Sequence, residues 1–144
     1  MLQVVFDTNV YISFLLGGVG AKRLMHFWRM KRFVLLTSAL QIEELIGVVQ
    51  QYFQTRDARQ YISLEDLEDL LLILRQRAVF VANRRVGKRS PDADDDWIIG
   101  IAIKNKADWL VSQNTQDLYQ SLVHPSENLL VLKIPQALQL LDTK

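Results

Sequence analysis

Five short apolar runs alternate with longer amphipathic segments along this chain, and this alternation constrains the fold more than any other feature. The runs span residues 2–6, 33–36, 79–81, 109–112 and 129–132. Their length and their Val, Leu, Phe and Trp content are typical of buried strands. Strands that alternate with helices form parallel sheets through right-handed crossovers. We therefore predict an α/β fold with three α/β/α layers and a central, mainly parallel sheet of about five strands.

The segments between the runs have the period of amphipathic helices. In one of them the expected buried stripe consists of Ile42, Leu45, Ile46 and Val49. Another helix is predicted to begin after Ser63, which can cap it, with Ile62 placed to pack onto Leu67. Arg75 and Arg77 close this helix, as the helix dipole prefers. Its expected buried face consists of Leu64, Leu67, Leu71 and Leu74.

The composition indicates one globular unit over residues 1–144. Hydrophobic residues make up 49% of the 144 positions, and no linker, repeat or low-complexity stretch divides them. The absence of cysteine excludes a disulfide framework, a zinc ribbon and a thiol nucleophile. The first apolar run lacks the basic lead of a signal peptide, and the apolar stretch 97–103 is too short to span a membrane. We therefore expect a cytoplasmic protein without a membrane partner.

Acidic residues lie where the predicted strands end. Asp7 directly follows the first strand, Glu44 lies early in the helix after the second, and Asp117 follows the fourth. An acidic cluster precedes the helix 97–103 and consists of Asp92, Asp94, Asp95 and Asp96. In open parallel sheets, ligands bind beyond the carboxyl ends of the strands. We therefore expect these acids to gather at one edge of the sheet.

Gathered carboxylates favour chemistry that depends on a hard divalent cation. Mg²⁺ and Mn²⁺ prefer oxygen ligands, and clustered carboxylates repel one another unless a cation neutralises them. Such a cation lowers the pKa of a bound water and stabilises charge on a phosphodiester. Taken singly, Asp7 could instead cap the next helix and Glu44 could be a solvated helix residue. The prediction of a phosphoryl-transfer site therefore depends on the acids converging.

The first two acidic blocks resemble motifs of the PIN-domain family, and specifically of the VapC-type toxins of bacterial toxin–antitoxin pairs. The segment 4–10 resembles the family's hydrophobic strand that ends in D-T-N, here Asp7, Thr8 and Asn9. The segment 38–45 resembles its second block and places the family's glutamate at Glu44.

The later blocks follow in the same order as in that family. The segment 92–97 resembles its third block, which places a metal ligand at Asp95. The segment 110–118 resembles the T-x-N-x-x-D-F block, with Ser112 in place of Thr and with Asn114 and Asp117 at the Asn and Asp positions. The resemblance covers nearly the whole chain, including a closing helix after Pro135, and it implies a single three-layer α/β/α PIN-like domain over residues 1–144.

The resemblance implies Mg²⁺- or Mn²⁺-dependent hydrolysis of single-stranded RNA. The implied metal ligands are Asp7, Glu44, Asp95 and Asp117. Thr8, Asn9, Ser112 and Asn114 would place the attacking water or the scissile phosphate. Basic residues would contact the RNA backbone. The first candidates lie in the segment 83–90, which we expect to be an exposed loop: Arg84, Arg85, Lys88 and Arg89. A second basic set consists of Lys22, Arg23, Arg29, Lys31 and Arg32. For each of these residues a solvated surface charge is the plainer interpretation.

Three questions stay open at this level. A catalytically silent PIN-like module that binds RNA or protein would have the same fold. An aspartyl phosphatase would need a second acid where Asn9 stands. A cognate antitoxin or a second copy of the chain could bind the apolar residues Phe27, Trp28 and Met30, although burial in the core of the first long helix is the more usual role of such residues.

Overall fold

Five parallel strands form one sheet in the computed structural model, which describes residues 1–55, 62–82, 96–113 and 128–143. The strands are β1 (Gln3–Phe6), β2 (Val34–Thr37), β3 (Val79–Phe80), β4 (Trp109–Val111) and β5 (Leu130–Leu132). Their order is β3-β2-β1-β4-β5, and every neighbouring pair is parallel. This confirms the predicted α/β fold and its number of strands.

Helices cover both faces of the sheet. They are α1 (Thr8–Leu15), α2 (Val19–Arg29), α3 (Ala39–Thr55), α4 (Leu64–Arg77), α5 (Asp96–Lys104) and α6 (Ile134–Asp142). On one face, Val4 and Phe6 of β1 pack against residues of α1, α2, α3, α4 and α6. On the other face, Val5 packs against residues of α5. Because successive strand residues point to opposite faces, the continuous apolar runs of the sequence supply both layers of core.

The strand order reverses between β1 and β4. From the central strand β1 the chain moves outward to β2 and β3, and it then returns to place β4 on the other side of β1. Backbone pairing continues past the strand ends there: the Asp7 amide donates to the Val111 carbonyl at 2.8 Å, and the Ser112 amide donates to the Leu132 carbonyl at 2.9 Å. A reversal of this kind opens a crevice at the carboxyl ends of the two strands. Asp7 and Ser112 lie at this crevice.

The start of α4 confirms one prediction and corrects another. The Ser63 hydroxyl accepts a hydrogen bond from the Asp66 amide at 3.4 Å, and Ile62 and Leu67 are buried in the same core. Leu64, however, is 56% exposed, and Leu70 takes its place on the buried face. The error arises because Leu64 is the first helical residue and lies beyond the core that covers the following turns. The stripe predicted for α3 is correct, since Ile42, Leu45 and Val49 are buried and Ile46 packs beside them.

The apolar residues at the end of α2 belong mainly to the core. Trp28 is buried, and Phe27 is partly buried against the same core. The Arg32 guanidinium lies over the Phe27 ring, 5.3 Å from the ring centre. Met30 caps the helix and is 57% exposed, so the expectation of burial is wrong for this residue. In the ranges that the structure describes, no helix has the length and apolarity needed to cross a membrane.

Tyr11 of α1 carries a polar atom into the core. Its ring packs against Phe6 with centroids 5.7 Å apart, and its hydroxyl is buried with no hydrogen-bond partner among the described residues. Burial raises the pKa of the Tyr11 phenol far above its ordinary value, and the nearby Thr37 hydroxyl opposes that shift. Thr37 does not pair the phenol, however, because it donates its hydrogen to the Gln41 side-chain oxygen at 2.6 Å. An unpaired buried hydroxyl costs free energy that a phenylalanine at the same position would not.

Tyr11→Phe is therefore expected to raise the free energy of unfolding by about 1 kcal/mol. Urea denaturation of the variant and the parent protein measures this change, provided that the m-value stays constant. A loss of stability of about 1 kcal/mol would contradict the prediction and would show that the hydroxyl has a partner.

Candidate active site

Asp7 is fixed at the junction of β1 and α1. It follows the last residue of β1 and caps α1 with an extended backbone, and its residue exposure is 9%. One carboxylate oxygen accepts from the Thr8 amide at 2.8 Å. The other accepts from the Ser112 hydroxyl at 2.8 Å and from the Asn9 side-chain amide at 3.3 Å. These donors and the amino end of the helix stabilise a buried carboxylate and fix its orientation.

Asn9 links this carboxylate to β4. Its side-chain nitrogen also lies 3.2 Å from the Ser112 hydroxyl, and its side-chain oxygen accepts from the Gln113 amide at 3.1 Å. Ser112 is fully buried. The resemblance implied that Asn9 and Ser112 place a water or a phosphate. In the structure both side chains contact Asp7 directly, so they hold the carboxylate in position.

Thr8 connects Asp7 with the second predicted acid. Its buried hydroxyl donates to a carboxylate oxygen of Glu44 at 3.1 Å, which joins the start of α1 to α3. Glu44 is half-buried, whereas its neighbour Glu43 is exposed. The structure therefore brings Asp7 and Glu44 to the same edge of the sheet, and it distinguishes Glu44 from Glu43.

Both carboxylates line one cavity of about 620 Å³. The cavity lies between α1 and α3 and is lined by Asp7, Thr8, Asn9, Ile12, Ser13, Leu16, Gly17, Gly18, Glu44, Val48, Tyr52 and Gln113. Its volume falls within the range of small-ligand sites. It lies at the position that the reversal of strand order predicts for a ligand.

The donor chemistry of the cavity fits a hard divalent cation. Asp7 and Glu44 supply carboxylate oxygens, and neither histidine nor cysteine is among the described lining residues. Oxygen ligands of this kind suit Mg²⁺ or Mn²⁺ better than zinc. Within the described ranges, no group of three or more acidic, histidine or cysteine side chains is placed to hold a metal. The described residues therefore provide two of the four predicted ligands.

The remaining predicted site residues lie outside the part of the chain that the structure describes. These are Asp95, Asp117, Asn114, Arg84, Arg85, Lys88 and Arg89, together with Asp92 and Asp94. Helix α5 begins at Asp96, the last acid of the cluster, one residue before the helix start that the sequence predicts.

Two residues of the second basic set have structural partners. The Arg23 guanidinium forms an ion pair with Asp142 at 2.9 Å, and the Arg32 guanidinium donates to the Leu141 carbonyl at 2.9 Å. Both side chains thus attach α6 to the region of α2, which the sequence did not predict.

Sequence reasoning also missed a buried polar residue beneath the site. Gln41 is fully buried, and its side-chain oxygen accepts from the Thr37 hydroxyl at 2.6 Å while its nitrogen donates to the Phe6 carbonyl. The backbone amide of Gln41 donates to the Ser38 hydroxyl at 3.1 Å. Because Phe6 precedes Asp7 and Gln41 lies one turn before Glu44, this side chain ties the end of β1 to the start of α3. A signal was present, since Gln41 lies four residues before the buried Leu45 and hence on the apolar stripe.

Gln41→Ala is expected to lower the free energy of unfolding by about 2–3 kcal/mol, because it leaves the Phe6 carbonyl and the Thr37 hydroxyl buried without this partner. Urea denaturation measures the loss. Gln50→Ala is the matched control on an exposed position of α3 and should stay within about 0.5 kcal/mol of the parent protein. Equal stability of the two variants would contradict the assigned role of Gln41.

The fold and the site together define an α/β protein with an acid-lined cleft at the point where the strand order of a parallel sheet reverses. The family model of the PIN domain matches residues 3–116, which include β1 to β4 and the described residues of the cleft. The chain therefore belongs to the PIN-domain family. Searches among curated proteins and among solved structures found no match.

Proposed function

We propose that this chain is an endoribonuclease that hydrolyses phosphodiester bonds of single-stranded RNA with Mg²⁺ or Mn²⁺. One observation carries the proposal: the buried Asp7 carboxylate, oriented by Ser112 and Asn9, lies beside Glu44 in a cavity at the carboxyl edge of the sheet. Membership of the PIN-domain family supports it, because nuclease activity is associated with that family.

Asp7 and Glu44 would hold the cation together with the predicted ligands Asp95 and Asp117. When bound, the cation supplies a Lewis acid that lowers the pKa of a water and offsets phosphate charge. Ser112 and Asn9 keep the Asp7 carboxylate from rotating, and the Thr8 hydroxyl orients Glu44 toward the same site. Preorganised groups of this kind contribute to catalysis because they need no reordering when charge develops.

Asn9 favours hydrolysis by water over a phospho-aspartate intermediate. An aspartyl phosphatase would need an acid at this position, but the Asn9 amide donates to Asp7 and to Ser112. The Asp7 carboxylate also accepts from Thr8 and Ser112, and such bonds reduce its strength as a nucleophile.

The resemblance to VapC-type toxins supports a finer proposal, in which the chain is the toxin of a toxin–antitoxin pair and forms a homodimer. Induced expression in a bacterial host should stop growth, and Asp7→Asn should remove the effect. Co-expression of a short neighbouring reading frame should restore growth if it encodes the antitoxin. Unimpaired growth at high expression of active protein would contradict the toxin proposal.

Light scattering after size exclusion tests the proposed homodimer separately.

Cleavage of a mixed set of single-stranded RNAs by the purified chain tests the nuclease directly. Cleavage should require Mg²⁺ or Mn²⁺ and should stop in EDTA, while double-stranded RNA and single-stranded DNA of the same sequences serve as controls. Absence of both cleavage and metal binding would overturn the proposal and would leave a PIN-like module that binds RNA or protein.

A further inference from the structure

The cavity extends well beyond its two carboxylates. Along α1 it is lined by Thr8, Ile12 and Leu16, and along α3 by Glu44, Val48 and Tyr52. Each set repeats every four residues and therefore follows one face of its helix. Eight residues of helix span about 12 Å, so the cavity continues for about two turns away from the site where Thr8 contacts Glu44.

The character of the lining changes over this distance. The carboxylate end is polar, whereas the far end is formed by the four side chains Ile12, Leu16, Val48 and Tyr52, which we call the apolar end. Leu16 is 38% exposed, and Val48 and Tyr52 are half-buried, packing against the core while they line the cavity. The apolar end thus offers an aliphatic and aromatic surface next to the two carboxylates that would hold the cation of the proposed function.

Two glycines shape the turn at the apolar end. Gly17 has a φ of +88°, a conformation that favours glycine. The Gly18 amide donates to the Ser13 carbonyl at 2.8 Å, and a Cβ atom at Gly18 would lie 2.9 Å from that carbonyl oxygen. This close approach requires a residue without a side chain, so the turn adds backbone and no bulk to the cavity wall.

We propose that the apolar end binds the nucleobase next to the scissile phosphate, with the Tyr52 ring as its stacking surface. This inference rests on the proposed function, because it assigns the phosphate of the same RNA to the carboxylate end. A single RNA strand presents an anionic diester beside a flat base with apolar faces. With the proposed cation on Asp7 and Glu44, the cavity would offer a site for the diester at one end and an apolar surface for the base at the other. Unpaired bases stack on aromatic side chains with little preference for base identity.

Fluorescence of 2-aminopurine tests the stacking directly. Short single-stranded RNAs carrying 2-aminopurine at successive positions would be bound at saturating Mg²⁺ to the Glu44→Gln variant, because this variant should cleave the RNA about a hundredfold more slowly. Quenching should occur at one position and disappear when Tyr52→Ala is added, with RNA affinity falling about 5- to 150-fold. Tyr52→Phe should retain the quenching. Phe53→Ala, an exposed aromatic neighbour outside the cavity lining, should change neither value.

The outcomes separate this inference from the proposed function. Position-specific quenching that depends on Tyr52, in a parent protein that cleaves no RNA, would support the base site and overturn the nuclease. Metal-dependent cleavage with no quenching, and with RNA affinity unchanged in Tyr52→Ala, would support the nuclease and overturn the base site. Loss of antitoxin binding in Tyr52→Ala without any change in RNA binding would show that a protein occupies the apolar end, and it would also overturn the base site.

Discussion

Asp7→Asn is expected to lower kcat/KM for metal-dependent RNA cleavage by about 10²- to 10³-fold while the fold is retained. A cation at a reacting phosphodiester supplies several kcal/mol of transition-state stabilisation, and each 1.36 kcal/mol corresponds to about tenfold in rate. Asparagine keeps the size of the side chain and an oxygen that can accept from the Thr8 amide. Its amide nitrogen cannot accept from the Asn9 side-chain amide as the carboxylate does, so the free energy of unfolding should fall by about 1–3 kcal/mol.

Asp108→Asn is the matched control for this variant. The Asp108 carboxylate also accepts a backbone hydrogen bond, from the Gln3 amide at 2.8 Å, but it precedes β4 and lies at the opposite edge of the sheet. Cleavage rates and urea denaturation should be measured on both variants. The catalytic role of Asp7 would be refuted if its variant kept activity within about threefold of the parent protein.

Glu44→Gln is expected to lower cleavage by about a hundredfold and to weaken Mn²⁺ binding. Mutating a residue that only hydrogen-bonds to a metal ligand lowers metal affinity or activity by about 10- to 100-fold. Mutating a direct ligand should lower them at least as much. Glutamine retains an oxygen that can accept from the Thr8 hydroxyl, so the contact between α1 and α3 is kept while the charge is lost.

The adjacent acid provides the control for Glu44. Glu43→Gln makes the same change of charge one residue earlier on α3, at an exposed position. Its cleavage rate and Mn²⁺ affinity should stay near those of the parent protein. If both variants lost the same cleavage rate and Mn²⁺ affinity, the losses would reflect only the removal of one negative charge from α3. The assignment of Glu44 as a ligand would then be wrong.

The sheet was predictable because its strands are buried on both faces. Such strands appear in the sequence as continuous apolar runs, and the polar residue that ends a run marks the carboxyl edge. This reasoning located Asp7 after β1. In the structure the Asp7 carboxylate accepts from the hydroxyl of Ser112, the residue after β4, at 2.8 Å. Their proximity follows from the parallel pairing of Phe6 with Val111.

Interactions between distant segments were not predictable from local pattern. The position of Gln41 on the apolar stripe of α3 indicates burial, but it does not identify the partners of its side chain, the Phe6 carbonyl and the Thr37 hydroxyl. Arg23 resembles a free cation until α6 brings Asp142 to it. The error at Leu64 has the same origin, since helical period gives the face of a residue but not whether a core covers that turn.

The central claim is that Asp7 and Glu44 hold a divalent cation in the cleft, and anomalous scattering from a crystal soaked in Mn²⁺ tests it most directly. Data collected at the manganese edge should show a peak within direct coordination distance of carboxylate oxygens of both residues. The peak should vanish in Asp7→Asn crystals grown and soaked identically. Manganese bound elsewhere at saturating concentration, with none in the cleft, would contradict the account.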